Sequence, residues 1–514
     1  MIEQDSKIIE STAKIAMMMA ILTLISKCFG FVRETVMANF FGAGYITDSY
    51  VMAQSIPGIL TGGIFAAVST TFIPLFSQTI KKAGNREGDL FTSRVINLLI
   101  VFSIVASVIG LLFSRQLVEL LANGFDQQRI ELTSTFLKIT FIYTLFSSTA
   151  SIIDAYLQYK GFFLTQILAG YALNIMAIST IIFSKYTSYY YLAFGILLGQ
   201  AVRFTIVFLK ARKIGFKYHI SFRTTDVVNK IIVLAVPVFI SSYVYQINTF
   251  IDKALASQLK LGSVSALYYS MLLVTLITGL SASIISTIFY PKIAQASTNN
   301  DISKLSQISS KGVNLILIVT IPFSLGIVFY GTQVVKLVYE RGAFDSTATG
   351  LTASAFTFYG LGMCFLALNE LLMRVYYSMH DMKTPMIFAG ISTVVNIVLC
   401  LILVRFMQHN GLALATSIAF SVNTLLLIFG ARKKYPNIYF IESKFKIIKI
   451  VIAAVLAISG SLFVKELFAD CSNRGTIIEI IQLFVCFLFA CIIYIIILYS
   501  LKIDEIKAIR SLFK

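Results

Sequence analysis

The stretch Ile15–Phe41, IAMMMAILTLISKCFGFVRETVMANFF, is long and apolar enough to cross a bilayer as a helix, yet it carries Lys27, Arg33 and Glu34, with Asp48 just beyond. A charge at the bilayer centre costs about 2.5–3.5 kcal/mol on insertion scales, so such residues face a protein interior or a wet cavity and mark a transport path. The stretch predicts a membrane transporter for something polar or charged.

The rest of the chain agrees. Hydrophobic residues make up 57% and charged residues 13% of the 514, against about 25% charged in soluble domains, and the mean hydropathy is +0.84. At about 20 apolar residues per crossing, the sequence divides into about fourteen segments with short polar loops between them. Their centres lie near Ile25, Phe65, Ile104, Ser147, Asn174, Gln200, Tyr243, Ser281, Ile318, Leu366, Val395, Ser421, Ala457 and Phe489. The expected fold class is an all-α integral membrane protein. The first segment is too long for a cleavable signal peptide, and nothing after it reads as a soluble mature domain.

The net charge of +18 would suggest nucleic acid in a soluble protein, but its placement here argues for orientation. With a cytoplasmic N-terminus, the basic loops fall inside: Lys81, Lys82 and Arg86; Lys210, Arg212, Lys213, Lys217 and Arg223; Lys304 and Lys311; Arg432, Lys433, Lys434, Lys444 and Lys446. The opposite loops hold only pairs such as Lys336 and Arg341, or Lys465 and Arg474. This asymmetry predicts a multi-pass protein of the cytoplasmic membrane with both termini inside, and no nucleic-acid partner. Cys28, Cys364, Cys400, Cys471, Cys486 and Cys491 show no metal spacing, and His219, His380 and His409 form no ligand pair. There is no Walker A sequence, so energy is expected from a gradient, the membrane potential or a partner.

The chain also resembles itself at an offset of about 217–222 residues. Gly44 then Tyr50 corresponds to Gly262 then Tyr268, Phe72-Ile73-Pro74 then Gln78 to Phe289-Tyr290-Pro291 then Gln295, and Asn97-Leu98 to Asn314-Leu315. Gly124-Phe125-Asp126 echoes Gly342-Ala343-Phe344-Asp345, Asn174-Ile175 echoes Asn396-Ile397, and Ala211-Arg212-Lys213 echoes Ala431-Arg432-Lys433. Common order and offset mark an internal repeat. An even number of crossings per half makes the repeats parallel, with a substrate site between two lobes that rock. The expected organisation is an N-lobe over residues 1–220, a C-lobe over 221–440, and two added helices with a basic amphipathic tail over 441–514. That tail, with Lys502, Lys507, Arg510 and Lys514, reads as an interfacial anchor. Pro57, Gly58, Gly62 and Gly63 predict a bend or unwinding in the second crossing, or close helix packing; Pro237, Pro322 and Pro385 mark other interruptions.

Gly30-Phe31-Val32-Arg33-Glu34, Phe41-Gly42-Ala43-Gly44, Thr47-Asp48, Pro57 and Phe72-Ile73-Pro74 closely resemble the start of the MurJ/MviN family of lipid II flippases. Tyr268-Tyr269, Gly342-Ala343-Phe344, Tyr377, Asp381-Met382-Lys383-Thr384-Pro385 and Gly411-Leu412-Ala413-Leu414-Ala415-Thr416 extend the resemblance over essentially the whole chain. It implies the multidrug/oligosaccharidyl-lipid/polysaccharide exporter fold, two lobes around a central cavity, and outward movement of undecaprenyl-pyrophosphate-linked peptidoglycan precursor. Such a lipid has an anionic pyrophosphate and a polar head that needs a cavity, while its tail remains among membrane lipids.

Arg33 offers a fork of donors suited to phosphate oxygens, Lys27 adds a mobile point charge, and Glu34 lies seven residues from Lys27 on one helical face. Asp48 is a candidate partner for Arg33; the alternative is that Arg33, Glu34 and Asp48 form a structural ion network. The chain departs from the family pattern at Thr61-Gly62, Ala66-Ala67 and Met271-Leu272, where charges are usual, and has Lys27 at the position of an arginine. Arg203, Lys253 and Arg374 are the candidate substitutes for the missing phosphate contacts. Resemblance to sodium-binding members marks Asp252, Asn396 and Thr416 as a candidate cation site, with Cys400 where a further carboxylate is expected; the alternative pairs Asp252 with Lys253 or Arg374. No other cofactor is expected, and a monomer is.

Other classes fit less well. A channel would show repeated filter loops, and a membrane glycan polymerase would need large polar loops with acidic residues, whereas the loops here are short and basic. A flippase for another undecaprenyl-linked oligosaccharide and a drug exporter of the same superfamily are the transporter alternatives. The expected protein is not an enzyme.

Overall fold

The computed structural model describes residues 2–221, 226–284, 289–299, 301–467, 476–503 and 505, and among these there is no strand. Arg223, Cys471, Arg474, Lys507, Arg510 and Lys514 lie outside the described residues. The helices are α1 (Ile2–Phe41), α2 (Tyr45–Leu112), α3 (Ser114–Leu121), α4 (Gln127–Tyr159), α5 (Leu164–Tyr186), α6 (Leu192–Lys213), α7 (Asp226–Ser257) and α8 (Ser263–Ile284). They continue with α9 (Tyr290–Thr298), α10 (Ile302–Tyr339), α11 (Ser346–Ser378), α12 (Lys383–Met407), α13 (His409–Lys434), α14 (Lys444–Leu467) and α15 (Thr476–Ser500). All fourteen expected centres fall inside helices, Phe65 and Ile104 both within α2. Ten helices among the described residues are long and apolar enough to span a membrane.

Helix α2 breaks once, at Gly84, whose φ of 81° and ψ of 177° turn the chain at the basic Lys81–Arg86 loop. The unwinding that is one expectation between Pro57 and Gly63 does not occur: the backbone stays helical throughout that stretch. Proline lacks an N–H, so Pro57 leaves the Ala53 carbonyl without its intrahelical donor. The Thr140 hydroxyl on α4 supplies it at 3.0 Å. Pro322 in α10 is handled in the same way, with the Tyr494 hydroxyl on α15 donating to the Ile318 carbonyl at 2.8 Å. Where no water can enter, a freed backbone carbonyl must find such a partner.

Two compact units form. The first is Met1–Tyr268 with Arg341–Ala348, and the second is Tyr269–Glu340 with Thr349–Lys514. The first takes in α7, which packs on α2. Its core stacks Phe72 between Phe76 and Phe91, beside Tyr156 and Phe216. The second unit's core gathers Leu371, Tyr376, Leu427 and Phe440 with Ala453, Ala457 and Tyr494 of the added helices. Elsewhere α12 and α15 turn Val398, Phe406, Phe484, Ile492 and Ile496 outward, as a lipid-facing surface requires.

The repeat is visible as hydrogen bonds within each unit. In the first, Asp89 and Ser93 accept the backbone N–H groups of Lys217 and His219, and Asn97 donates to the Ser221 carbonyl at 2.9 Å. In the second, at an offset of 217 residues, Ser306 and Ser310 accept the N–H groups of Tyr439 and Glu442. Asn314, the counterpart of Asn97, instead donates to Glu505 Oε1 at 2.7 Å, tying the chain after α15 to the unit. The matched Asp126 and Asp345 are both helix N-caps, accepting from Arg129 N at 2.9 Å and Ala348 N at 2.8 Å. In the Asp381–Pro385 motif, Asp381 accepts from Thr384 N at 3.2 Å at the start of α12 and from Lys434 Nζ at 2.7 Å at the end of α13.

Candidate functional site

Arg33 sits on α1 beside Glu34, whose Oε1 accepts from Nε at 2.8 Å and Nη2 at 2.5 Å. On its other side Nη1 donates to Asn174 Oδ1 of α5 at 3.2 Å. Asn174 is itself held, its Nδ2 donating to the Gly170 carbonyl at 3.2 Å. A guanidinium has five N–H donors, so one remains on each terminal nitrogen, and the side chain is about one-fifth exposed. Buried Glu34 is shared with the Tyr268 hydroxyl of α8, and Tyr50 of α2 lies alongside. The result is a fixed cation with two free donors in an apolar helix, a geometry that takes an anionic oxygen.

Asp48 does not pair with Arg33. It is fully buried, and its oxygens accept from Gly262 N at 2.8 Å, Ser265 N at 2.8 Å and Ser265 Oγ at 2.6 Å, all at the start of α8. The reason is positional: Asp48 lies in the first turn of α2, where the neighbouring helix start presents unsatisfied N–H groups.

The other expected cations are dispersed. Lys27 is exposed on α1. Lys253 Nζ donates to Ser55 of α2. Arg203 on α6 is paired with Asp154 of α4 at 2.5 Å. In the second unit, Arg374 stacks over the Tyr290 ring, 5.4 Å from its centroid. Sequence reasoning missed Asp154 and Asn174 as partners of these arginines; a lone carboxylate within the fourth crossing and the repeat match to Asn396 were the available signals.

Asn396 and Thr416 meet in the second unit, Nδ2 donating to Oγ1 at 3.3 Å, while the Cys400 thiol donates to Asn396 Oδ1 at 3.4 Å. This pair has no charge of its own, and its amide oxygen is engaged by a thiol, a weak setting for a hard cation. Asp252 belongs to the first unit, where Asn248 Nδ2 approaches it at 3.5 Å. Among the described residues no group of three or more His, Cys, Asp or Glu side chains could hold a metal.

The second unit also contains an apolar groove of about 440 Å³. Pro322, Phe323 and Tyr330 of α10 form one wall, and Ala457 of α14 with Phe487 and Tyr494 of α15 form the other. Its polar feature is the Tyr330 hydroxyl, hydrogen-bonded to Ser461 at 2.9 Å.

A family model described as lipid II flippase MurJ matches residues 37–482. The chain belongs to the MurJ family. It is 30% identical over 419 residues to a probable lipid II flippase MurJ of Rhizobium meliloti (strain 1021), covering 79% of this chain and 78% of that one. The lipid II flippase MurJ of Burkholderia cenocepacia is 26% identical over 424 residues, covering 80% and 82%. Among solved structures, a lipid II flippase MurJ in an inward closed conformation superposes with a TM-score of 0.81 at 26% identity, over 94% of this chain and 99% of that chain. An inward-facing MATE family multidrug resistance transporter of the MOP superfamily gives 0.66 at 14% identity, over 81% and 98%, which shows the shared fold alone. The expected membership and fold class are thereby met.

Proposed function

We propose that this protein is a transporter that flips lipid II, the undecaprenyl-pyrophosphate-linked peptidoglycan precursor, from the inner to the outer face of the cytoplasmic membrane by alternating access. Membership of a lipid II flippase family supports the substrate class. The observation that carries the site is Arg33, tethered by Glu34 and Asn174 with two donors unused. Its guanidinium contacts the pyrophosphate, and Lys27, Lys253, Arg374 or Arg203 supplies a second cation. The apolar groove beside α14 and α15 suits the polyprenyl tail, because it offers hydrocarbon on both walls. The repeat halves, 1–220 and 221–440, act as lobes in a monomer with both termini cytoplasmic, and sodium at Asp252, Asn396 and Thr416 is the proposed coupling ion. Transport measured in sodium against potassium medium tests that last part; equal rates would remove it.

One observation favours a second reading. Thr61, standing where the family usually has charge, is buried and donates its hydroxyl to the Pro57 carbonyl at 2.7 Å, so it offers a substrate nothing. A flippase for another undecaprenyl-linked oligosaccharide accommodates that loss. Depletion of a known lipid II flippase followed by rescue with this gene separates the two. Rescue supports lipid II, and failure at good membrane expression supports another glycan.

A further inference from the structure

The segment that follows α15 turns back into the second unit. Lys502 takes a φ of 54°, and Ile503 N donates to the Leu498 carbonyl at 3.3 Å, the six-residue closure of a left-handed helix cap. Ile503 is thereby buried in the core, and buried Glu505 reaches α10, where its Oε1 accepts from Asn314 Nδ2 at 2.7 Å. The same oxygen lies 3.5 Å from Lys446 Nζ on α14. One carboxylate thus joins the chain after α15 to α10 and α14, which with α15 form the walls of the apolar groove. Asn314 stands one turn before Ile318, where the groove begins on α10. Towards the far end, Lys336 of α10 pairs with Glu479 of α15 at 2.8 Å, but there the two side chains are 43% and 35% exposed. The first repeat uses the equivalent asparagine differently. Asn97 accepts from the Tyr218 hydroxyl and donates to the Ser221 carbonyl, both in the chain directly after α6.

We propose that Glu505 is a positioning residue: it pins α10, α14 and α15 together at one end of the groove and so sets the groove's width for an apolar chain. The proposal rests on the reading above that the groove takes the polyprenyl tail. Stability alone does not account for this carboxylate. Its Oε2 is buried and has no hydrogen-bond partner among the described residues, and a buried charge so incompletely compensated is a poor stabiliser beside an apolar side chain of similar size. What it supplies is register, because Asn314 and Lys446 can both be met from only one placement of the chain after α15. The exposed Lys336–Glu479 pair is screened by solvent and holds its end loosely. Width matters because a hydrocarbon tail has no polar handle: a gap of about 0.5–1 Å forfeits a quarter to a half of the contact attraction.

The test uses the full-length protein in vesicles, with the native cysteines replaced in every arm and nitroxide labels at Phe329→Cys of α10 and Phe484→Cys of α15, both exposed positions. In Glu505→Ala the distance distribution between the labels should broaden and shift to longer values. Glu505→Gln, which keeps an acceptor for Asn314, should return it to that of the parent. Asn314→Leu removes the same bond from the α10 side, should act like Glu505→Ala, and carries the test if that variant does not fold. A parent-like distribution in Glu505→Ala, or an equal broadening in Glu479→Gln, would overturn the proposal. In the flipping assay, Glu505→Ala should raise KM for lipid II about fivefold with little change in kcat, the mark of lost uniform binding. KM for an analogue with a short prenyl tail should stay at the parent value. An equal rise for both tail lengths would count against the tail reading of the groove, while the label distances still decide the role of Glu505.

Discussion

Arg33 and Asn174 meet at 3.2 Å across 141 residues of chain, a neutral amide oxygen holding one edge of a guanidinium whose other edge is held by Glu34. The amide orients the cation without adding a second negative charge beside it.

Asn174→Leu should therefore slow flipping by about ten- to a hundredfold at matched expression, since hydrogen bonds to charged groups contribute about 1.5–3 kcal/mol. Asn174→Asp should be worse for substrate affinity than Asn174→Leu, because a second carboxylate competes with pyrophosphate for the same donors. Equal affinity in the two variants, measured by substrate titration in vesicles, would show that Asn174 only packs.

On the proposed reading, two cations should be required at the phosphate. At an effective dielectric near 20, one charge pair at 4 Å gives about 4 kcal/mol before desolvation is subtracted, too little to hold a dianion alone. Neutral substitutions at Lys27, Lys253 and Arg374 should leave at least one single variant strongly impaired and the triple variant inactive in the flipping assay. Normal transport by all four would leave recognition to Arg33 and polar contacts with the head group.

Asp48→Ala leaves the buried N–H groups of Gly262 and Ser265 without an acceptor. Each unpaired group costs about 1–3 kcal/mol. Thermal unfolding in detergent should show a clear drop in Tm, smaller for Asp48→Asn, which keeps one acceptor oxygen. An unchanged Tm in Asp48→Ala would mean that water replaces the carboxylate.

Tyr494→Phe removes the donor to the carbonyl that Pro322 frees and should cost about 1–3 kcal/mol. In a Pro322→Ala background the restored N–H can serve Ile318, so the same substitution should cost measurably less. Additive losses in this double-mutant cycle would show that the tyrosine acts through packing alone.

Burial pushes the Asp381 carboxyl up, but hydrogen bonds from Lys434 and Thr384 to its charged form outweigh this and hold it below the ordinary carboxylate range. A depressed native value means that its stabilising effect is complete above the unfolded value, about 3.9, and disappears as pH falls through the native one. Unfolding followed from pH 6 to pH 3 should lose stability more steeply in the parent than in Asp381→Asn. Parallel curves would remove Asp381 from the acid response.

Much of the fold was legible because the bilayer imposes simple rules. Hydrocarbon thickness sets segment length, and the repeat carried its own register: Asp126 and Asp345 cap equivalent helices of the two repeats. The presence of Arg33 as a costly intramembrane cation was equally plain. Its partners were less so. Helical spacing identifies what shares a face of α1, but not which neighbouring helix approaches it, and so Asp48 stood as a candidate for a place that Asn174 holds.

By itself the sequence determined an all-helical membrane protein, its repeat and its family, since these depend on local apolar length, periodic charge and matched motifs. Only tertiary structure decided that Thr140 and Tyr494 satisfy carbonyls freed by distant prolines, and that Asp48 binds the start of α8. It alone also placed α7 and the Arg341–Ala348 loop with the first unit. The physical reason is common to all three. In an apolar interior, polar groups must find partners wherever packing brings them, and glycine lets backbones from different repeats approach closely. Neither outcome follows from the order of residues along one helix.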